Sequence, residues 1–230
     1  MRKRILVIDI GGSHVKLMIS QRIKRRKFGF GRTLTPRKFV AETKKEVADW
    51  KHDVIAIGFP APVRDGKILC EPKNLGKGWV GFDFRKAFGK PVRIINDAAM
   101  QALGSYHGGR MLFLGLGTGL GSALLWDRNV LSLELSDLPY IDNQTVEDQL
   151  GDAGRERLGA KDWEREVQRV AIGFKQAFIA NYVVLGGGNA KLIEDLPAGA
   201  ELGHNRNAFT GGQRLWQRDP RTGRPAWKII

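Results

Sequence analysis

The chain has 230 residues, 42% of them hydrophobic and 27% charged, an ordinary composition for a soluble globular enzyme and enough to bury one large core or two lobes of about 100 residues each. Its single cysteine, Cys70, excludes an intramolecular disulfide and a multi-thiolate zinc site, and it fits a reducing, cytoplasmic compartment. The formal charge is +14, and residues 1–52 hold most of it, with 15 Lys and Arg against 4 Asp and Glu. Such a field gathers polyanions of any kind, so charge alone does not choose among nucleic acid, acidic lipid and long-chain phosphate. A solubilising surface bias accounts for it as well. Met1-Arg2-Lys3-Arg4 ahead of Ile5–Ile8 has the outline of a signal peptide, but Asp9 cuts the apolar run short and Gly11-Gly12 ends it. No run approaches the length of a membrane span.

Ile5–Ile10 is an apolar run of strand length that ends in Gly-Gly. His14–Ser20 and Lys27–Gly31 read as two further strands, joined by a basic turn that holds Arg22, Lys24, Arg25, Arg26 and Lys27. A helix is expected over 36–50, with Pro36 at its start and Phe39, Val40, Val47 and Trp50 at helical spacing. Val54–Gly58 follows as a buried strand, then the loop Phe59-Pro60-Ala61-Pro62. Val92–Ile95, Met111–Leu116, Ser122–Trp126 and Tyr182–Leu185 are further strand candidates. Residues 161–180 form the longest helix candidate, with Trp163, Val167, Val170, Ala171, Phe174 and Phe178 along one face. Strands interleaved with helices give an α/β class. No repeat or low-complexity linker shows in the residues, yet the order of elements, run twice with a glycine-rich turn each time, is that of a duplicated lobe clasping a nucleotide.

Three glycine clusters carry the chemistry. In Asp9-Ile10-Gly11-Gly12-Ser13-His14-Val15-Lys16 an acid near a strand end precedes glycines, whose backbone N–H groups can approach phosphate with no Cβ in the way. Ser13 can add a hydroxyl, and Asp9 can hold a magnesium ion directly or through water. Gly115-Leu116-Gly117-Thr118-Gly119-Leu120-Gly121-Ser122 lies between two apolar strands with no helix opening after it. That argues against a dinucleotide-binding turn, and no Gly-Lys-Ser/Thr marks a Walker loop. What remains is a glycine-rich hairpin whose N–H groups and Thr118 hydroxyl can clamp terminal phosphates. Leu185-Gly186-Gly187-Gly188-Asn189 follows the strand at 182–185 and permits a bulky ligand to approach the backbone. Between the first two clusters stands Asn96-Asp97, just after a strand. Asp97 reads either as a base that orients a hydroxyl nucleophile and takes its proton, or as the cap of the helix that begins near Ala98.

In this order the motifs resemble the repressor–ORF–kinase (ROK) family of sugar kinases, most closely its polyphosphate/ATP glucokinase branch, from Ile5 to about Trp216. The family's first phosphate motif, Asp-x-Gly-Gly-Thr-x-x-Lys, is matched at residues 9–16, including Asp9, Gly11, Gly12 and Lys16, with Ser13 for the threonine. The second is matched at Gly117, Thr118, Gly119 and Gly121, and the adenosine-side run at Gly186, Gly187 and Gly188. The resemblance implies an actin-like ATPase (ribonuclease H-like) fold of two lobes, 1–96 and 97–230, with the active site between them. It implies Mg²⁺, ATP or polyphosphate as donor and a hexose, glucose first, as acceptor. Pro60 and Asn74 would line the sugar pocket, Asn96 would bind a sugar hydroxyl and Asp97 would be the catalytic base. Dimers are common in the family. The zinc-binding cysteine cluster of many members is missing, as in the polyphosphate-using branch.

The family's sugar-binding Glu-x-Gly-His occurs literally at Glu201-Leu202-Gly203-His204, too late in the chain, after the adenosine-side glycines. The position that fits is Glu134-Leu135-Ser136-Asp137, 13 residues after Gly121. Glu134 is then the sugar carboxylate and Asp137 stands where the family has histidine. An ionised aspartate only accepts hydrogen bonds, whereas a neutral histidine also donates. Asp137 near Glu134 and Asp97 should raise one of their pKa values. Glu147 resembles a further sugar-side carboxylate. A hexokinase-type enzyme is therefore expected, with a sugar- or nucleotide-binding protein of little turnover as the alternative. A DNA-binding regulator is not expected, because ROK repressors place a helix-turn-helix ahead of the kinase-like body and here the first phosphate strand begins at Ile5. Membrane and specific nucleic-acid partners are likewise not expected. The basic turn is open between a solvated hairpin tip and a track for a long anionic donor.

Overall fold

Two sheets of one plan organise the chain in the computed structural model, which describes residues 3–20, 25–31, 33–204 and 206–230. The first part contains β1 (Ile5–Ile10), β2 (His14–Ile19), β3 (Arg25–Gly29), α1 (Pro36–Glu46), β4 (Val54–Phe59), the small hairpin β5 (Val63–Arg64) and β6 (Lys67–Ile68), α2 (Phe84–Phe88) and β7 (Val92–Asn96). Next come α3 (Asp97–Ser105), β8 (Met111–Leu116), β9 (Leu120–Trp126), β10 (Asn129–Leu133), α4 (Val146–Leu150), α5 (Asp152–Leu158) and α6 (Ala160–Ala177). The chain ends with β11 (Tyr182–Gly186), β12 (Ala200–Leu202), α7 (Asn207–Arg214) and β13 (Lys228–Ile229).

The first sheet runs β3-β2-β1-β4-β7 and the second β12-β11-β8-β9-β10-β13. In each, a pair of antiparallel hairpins is followed by two strands parallel to the first: β1–β2–β3 with β4 and β7, then β8–β9–β10 with β11 and β12. The duplication hinted at by element order is therefore a duplication of topology. It makes the β1–β2 and β8–β9 turns equivalent positions in the two sheets.

Between the sheets lie α3 and α7. Ala98, Ala99, Ala102, Leu103 and Phe209 meet Val7, Ala56, Phe113, Ala123 and Val184 in one buried cluster. The other face of the first sheet is covered by α1, α2 and an aromatic group in which Trp79 packs on Phe39 and Phe59. The far face of the second sheet is covered by α6 through Trp163, Val167, Val170 and Ala171. Strands β1 and β4 are buried along their whole length, as central strands covered on both faces must be.

The helix expected over 36–50 starts as read, with Thr35 accepting from the Lys38 N–H and Pro36 in the first turn. It stops at Glu46, and Val47 and Trp50 are buried from the turn beyond it. The third strand starts at Arg25 rather than Lys27, which corrects the reading of the basic turn. Arg26 donates to Asp49 Oδ2 at 2.9 Å and to the Glu46 carbonyl, with its guanidinium 4.6 Å from the Trp50 ring centroid. Arg25 lies 5.3 Å over Phe209. These two arginines are committed to the fold, while Arg22 and Lys24 lie outside the described residues. Among the described residues no helix is long and apolar enough to cross a membrane.

Candidate active site

A cleft of about 430 Å³ opens between the two sheets and brings residues of all three glycine clusters together. The β1–β2 hairpin contributes Gly11 and Gly12 to its wall. Register explains the spacing of that motif: Asp9 and Lys16 are directly opposite in the hairpin, and Lys16 Nζ lies 3.3 Å from Asp9 Oδ2. Asp9 is buried, and burial raises its pKa against the opposing pull of Lys16. Ser13 is exposed, with its hydroxyl 2.8 Å from His14 Nδ1.

The β8–β9 hairpin contributes Gly117, Thr118 and Gly119. It faces the first hairpin closely: a methyl group added at Gly12 would stand 3.8 Å from the Thr118 hydroxyl. Two braces hold it. The Glu147 carboxylate accepts from the Leu120 N–H at 3.1 Å, and the Asp152 N–H at the start of α5 donates to the Gly117 carbonyl at 3.1 Å. From the third cluster Gly187 and Gly188 reach the cleft. Gly187 has φ +84° and abuts the Leu116 backbone, a place no side chain can occupy. Gly186 ends β11 against the Phe113 ring and serves packing rather than the cleft wall. Asn189 ties this cluster to the second, donating to Asp152 Oδ1 at 2.7 Å and to the Gly117 carbonyl at 3.4 Å.

Asp97 opens α3 between the hairpins. The first turn of α3 wedges between β4 and β9 because Gly58 and Gly121 leave room: side chains there would run into Met100 and Ala98. The cap of α3 is Asn96, not Asp97. Asn96 Oδ1 accepts from the Ala99 N–H at 3.0 Å, and its amide donates to the Ala61 carbonyl at 3.4 Å. Of the two readings of Asp97 that the sequence left open, the cap therefore belongs to Asn96, which keeps one amide N–H for a ligand. Freed from capping, the Asp97 carboxylate lines the cleft, and its Oδ1 accepts from the Ala98 N–H at 2.8 Å. Burial, then the charges of Asp9 and Glu134, push its pKa up to about 7. A carboxylate at that value is ionised often enough at neutral pH to accept a proton and basic enough to keep it.

Pro60, Asn74, Glu134, Asp137 and Glu147 line the same cleft. Ser122 fixes Glu134 from both sides, donating to the Leu133 carbonyl at 2.9 Å and accepting from the Leu135 N–H at 3.2 Å. Burial and then Asp137 raise the Glu134 pKa. The expected repulsion from Asp137 thus falls on Glu134, while the charges that raise Asp97 are those of Asp9 and Glu134. Asp137 sits at the rim with 67% of its side chain exposed, 3.8 Å from Lys73 Nζ. Lys73 also lies 3.9 Å from Glu147 Oε1. Neither Lys73 nor Glu71 stood out in the sequence. The Glu71 carboxylate accepts from the N–H groups of Gly78, Trp79 and Val80 at 3.1–3.3 Å, which fixes the loop that presents Lys73 and Asn74. The literal Glu-Leu-Gly-His string lies elsewhere: Glu201 and Leu202 end the exposed strand β12, Glu201 pairs with His107 at 3.1 Å, and His204 accepts from the Arg206 N–H.

Among the described residues no group of three or more His, Cys, Asp or Glu side chains could hold a metal by itself. Magnesium asks for less, one or two carboxylates with the remaining ligands from water and donor phosphates. Asp9, a buried carboxylate whose one ion pair among the described residues is with Lys16, and which has a second acid nearby in Asp97, fits that demand.

No family model matches the sequence, and no curated protein matches it by sequence. Solved structures do match in fold. An inorganic polyphosphate/ATP-glucomannokinase from Arthrobacter sp. strain KM superposes with a TM-score of 0.78 at 23% identity, over 92% of this chain and 97% of that one. A ROK family glucokinase from Streptomyces griseus, solved with glucose and AMPPNP, gives 0.71 at 15% identity, over 92% and 98%. A ROK family transcriptional regulator, a homologue of the E. coli MLC protein, gives 0.67 at 15%, over 93% and 77%. The chain has the actin-like two-lobe α/β fold of the ROK sugar kinases.

Proposed function

We propose that this chain is a ROK-type sugar kinase that transfers a phosphoryl group from ATP or polyphosphate to a hexose hydroxyl, glucose first among acceptors. One observation carries the reading: the Asp97 carboxylate stands in one cleft with two opposed glycine hairpins and a wall of polar side chains. The backbone N–H groups of Gly12, Thr118 and Gly119 would hold the donor phosphates, those of Gly11 and Gly117 being donated within their hairpins to the His14 and Gly119 carbonyls at 3.0 and 3.1 Å, and Gly187–Gly188 would hold the adenosine side of ATP. Asn74, Asn96 and Glu134 would orient the sugar. Asp97 would accept the hydroxyl proton as the sugar oxygen bonds to the terminal phosphorus. The bond from that phosphorus to its bridging oxygen breaks, and ADP or a shortened polyphosphate leaves. Magnesium held at Asp9 would neutralise charge on the donor phosphates when bound.

An assay that crosses ATP and polyphosphate with a panel of hexoses tests this. Donor-dependent formation of a hexose phosphate is the expected result. Saturable sugar or nucleotide binding with no product from any combination would make the chain a binding protein instead.

A further inference from the structure

The acceptor side of the cleft is acidic in a chain whose net charge is +14. Asp97, Glu134, Asp137 and Glu147 all line it, and ionised carboxylates only accept hydrogen bonds. A sugar hydroxyl both donates and accepts, so these carboxylates when ionised meet only half of it, and the spare Asn96 amide N–H supplies one donor beside them. Its field also favours a cation over a neutral ligand. Glu71 lines the same cleft, but its oxygens are engaged by three backbone N–H groups. Among the described residues Lys73 is the one cation that forms an ion pair with this group of carboxylates.

Lys73 comes from the opposite wall. Its loop is anchored by Leu75 and Trp79 in the core of the first sheet, whereas Asp137 and Glu147 follow β10 of the second. Its Nζ lies 3.8 Å and 3.9 Å from the two carboxylates. Those separations are close enough to offset charge and too long for a direct hydrogen bond, so its N–H donors remain available to a hydroxyl. Its side chain is 79% exposed.

We propose that Lys73 is a specificity-determining residue of the acceptor pocket, a tethered counter-ion that fits an acidic wall to neutral hexoses and disfavours amino sugars. This rests on the kinase reading above. The ammonium supplies the donor that the carboxylates lack and occupies the position a protonated sugar amine would take. Removing it should weaken a neutral sugar and favour a cationic one.

The test is the ratio of kcat/KM for the neutral hexose turned over best to that for its 2-amino counterpart, in wild type, Lys73→Met and Lys73→Arg. The Met variant should lower the ratio by about fivefold or more, the scale of one unit charge about 4 Å away in a watery site. Arg should hold the ratio within about twofold because it keeps the charge. The donor KM should not move with either. Lys73 carries no core packing, and a melting curve for each variant checks that the fold is kept. A ratio unchanged in Lys73→Met, in an active enzyme, overturns the Lys73 assignment alone. A wild-type chain that phosphorylates no hexose overturns the kinase reading and this one with it.

Discussion

Replacing Asp97 with Asn keeps the shape of the side chain and its acceptor for the Ala98 N–H while removing the only proton acceptor proposed for the reaction. Turnover should fall by about 10² or more, the scale of a general base. The pH profile supplies the sharper figure. With its pKa pushed up to about 7, Asp97 is about half ionised at neutral pH, and each further unit of acid removes about nine-tenths of the base form. Wild-type kcat/KM for the sugar should therefore fall about tenfold per unit below pH 7 and level off above it. The residual rate of Asp97→Asn should lack that limb. Stability moves the other way. The folded pKa lies above the ordinary 3.8, so the native state binds the proton more tightly and loses stability as pH rises through that window. Asp97→Asn cannot ionise. It should match wild type near pH 4 and gain on it up to a plateau above pH 7, by at most about 4 kcal/mol. Coupled-assay rates at saturating donor and thermal melts, both across pH 4.5 to 8.5, measure the two effects. Turnover within about threefold of wild type, or an acid limb that survives in the variant, would refute the assignment of Asp97 as base.

Gly117 and Gly119 should respond differently to valine, because the space at Gly117 is open whereas a side chain at Gly119 meets the Glu147 carboxylate. Gly117→Val should weaken donor binding by calorimetry with little change in melting temperature, and Gly119→Val should lower both. Arg26→Glu breaks the pairing with Asp49 and the packing on Trp50, so its melting temperature should drop while any change in rate is shared equally by ATP and polyphosphate. A loss confined to polyphosphate would restore the donor-track reading. Asp137→His adds a donor beside Glu134 and removes a like charge, and should lower sugar KM by up to about tenfold. His204→Ala should shift it by less than about threefold, since His204 stands outside the cleft. The opposite pattern would make the literal Glu-Leu-Gly-His string the sugar site.

Local contacts were legible in the sequence. Asp9 and Lys16 are seven residues apart because a hairpin turns between them, and a strand, two glycines and a strand announce that turn. The β8–β9 hairpin reads the same way, and the helical face from Trp163 to Ala171 is buried as its periodicity requires. What escaped depends on partners far along the chain. Lys73 is one lysine or arginine among 38, and nothing near it in sequence marks Asp137 and Glu147 as its neighbours. Glu71 likewise looks like any surface acid until the loop folds back to offer it three N–H groups. In the sequence Arg26 is one of a run of basic turn residues, because Asp49 and Trp50 reach it only when α1 packs back on the sheet. Asn96 and Asp97 are adjacent, and which of them caps α3 was decided by where the chain leaves β7.

A kinase of this design passes phosphate from donor to sugar in this cleft. Phosphorus NMR of the purified chain with magnesium, a hexose and either ATP or polyphosphate follows that transfer directly. The expected spectrum gains a hexose monophosphate resonance at the rate the donor is consumed, and Asp97→Asn nearly abolishes it. Donor consumed to free phosphate alone, or sugar bound with no new resonance under any donor, would contradict the claim.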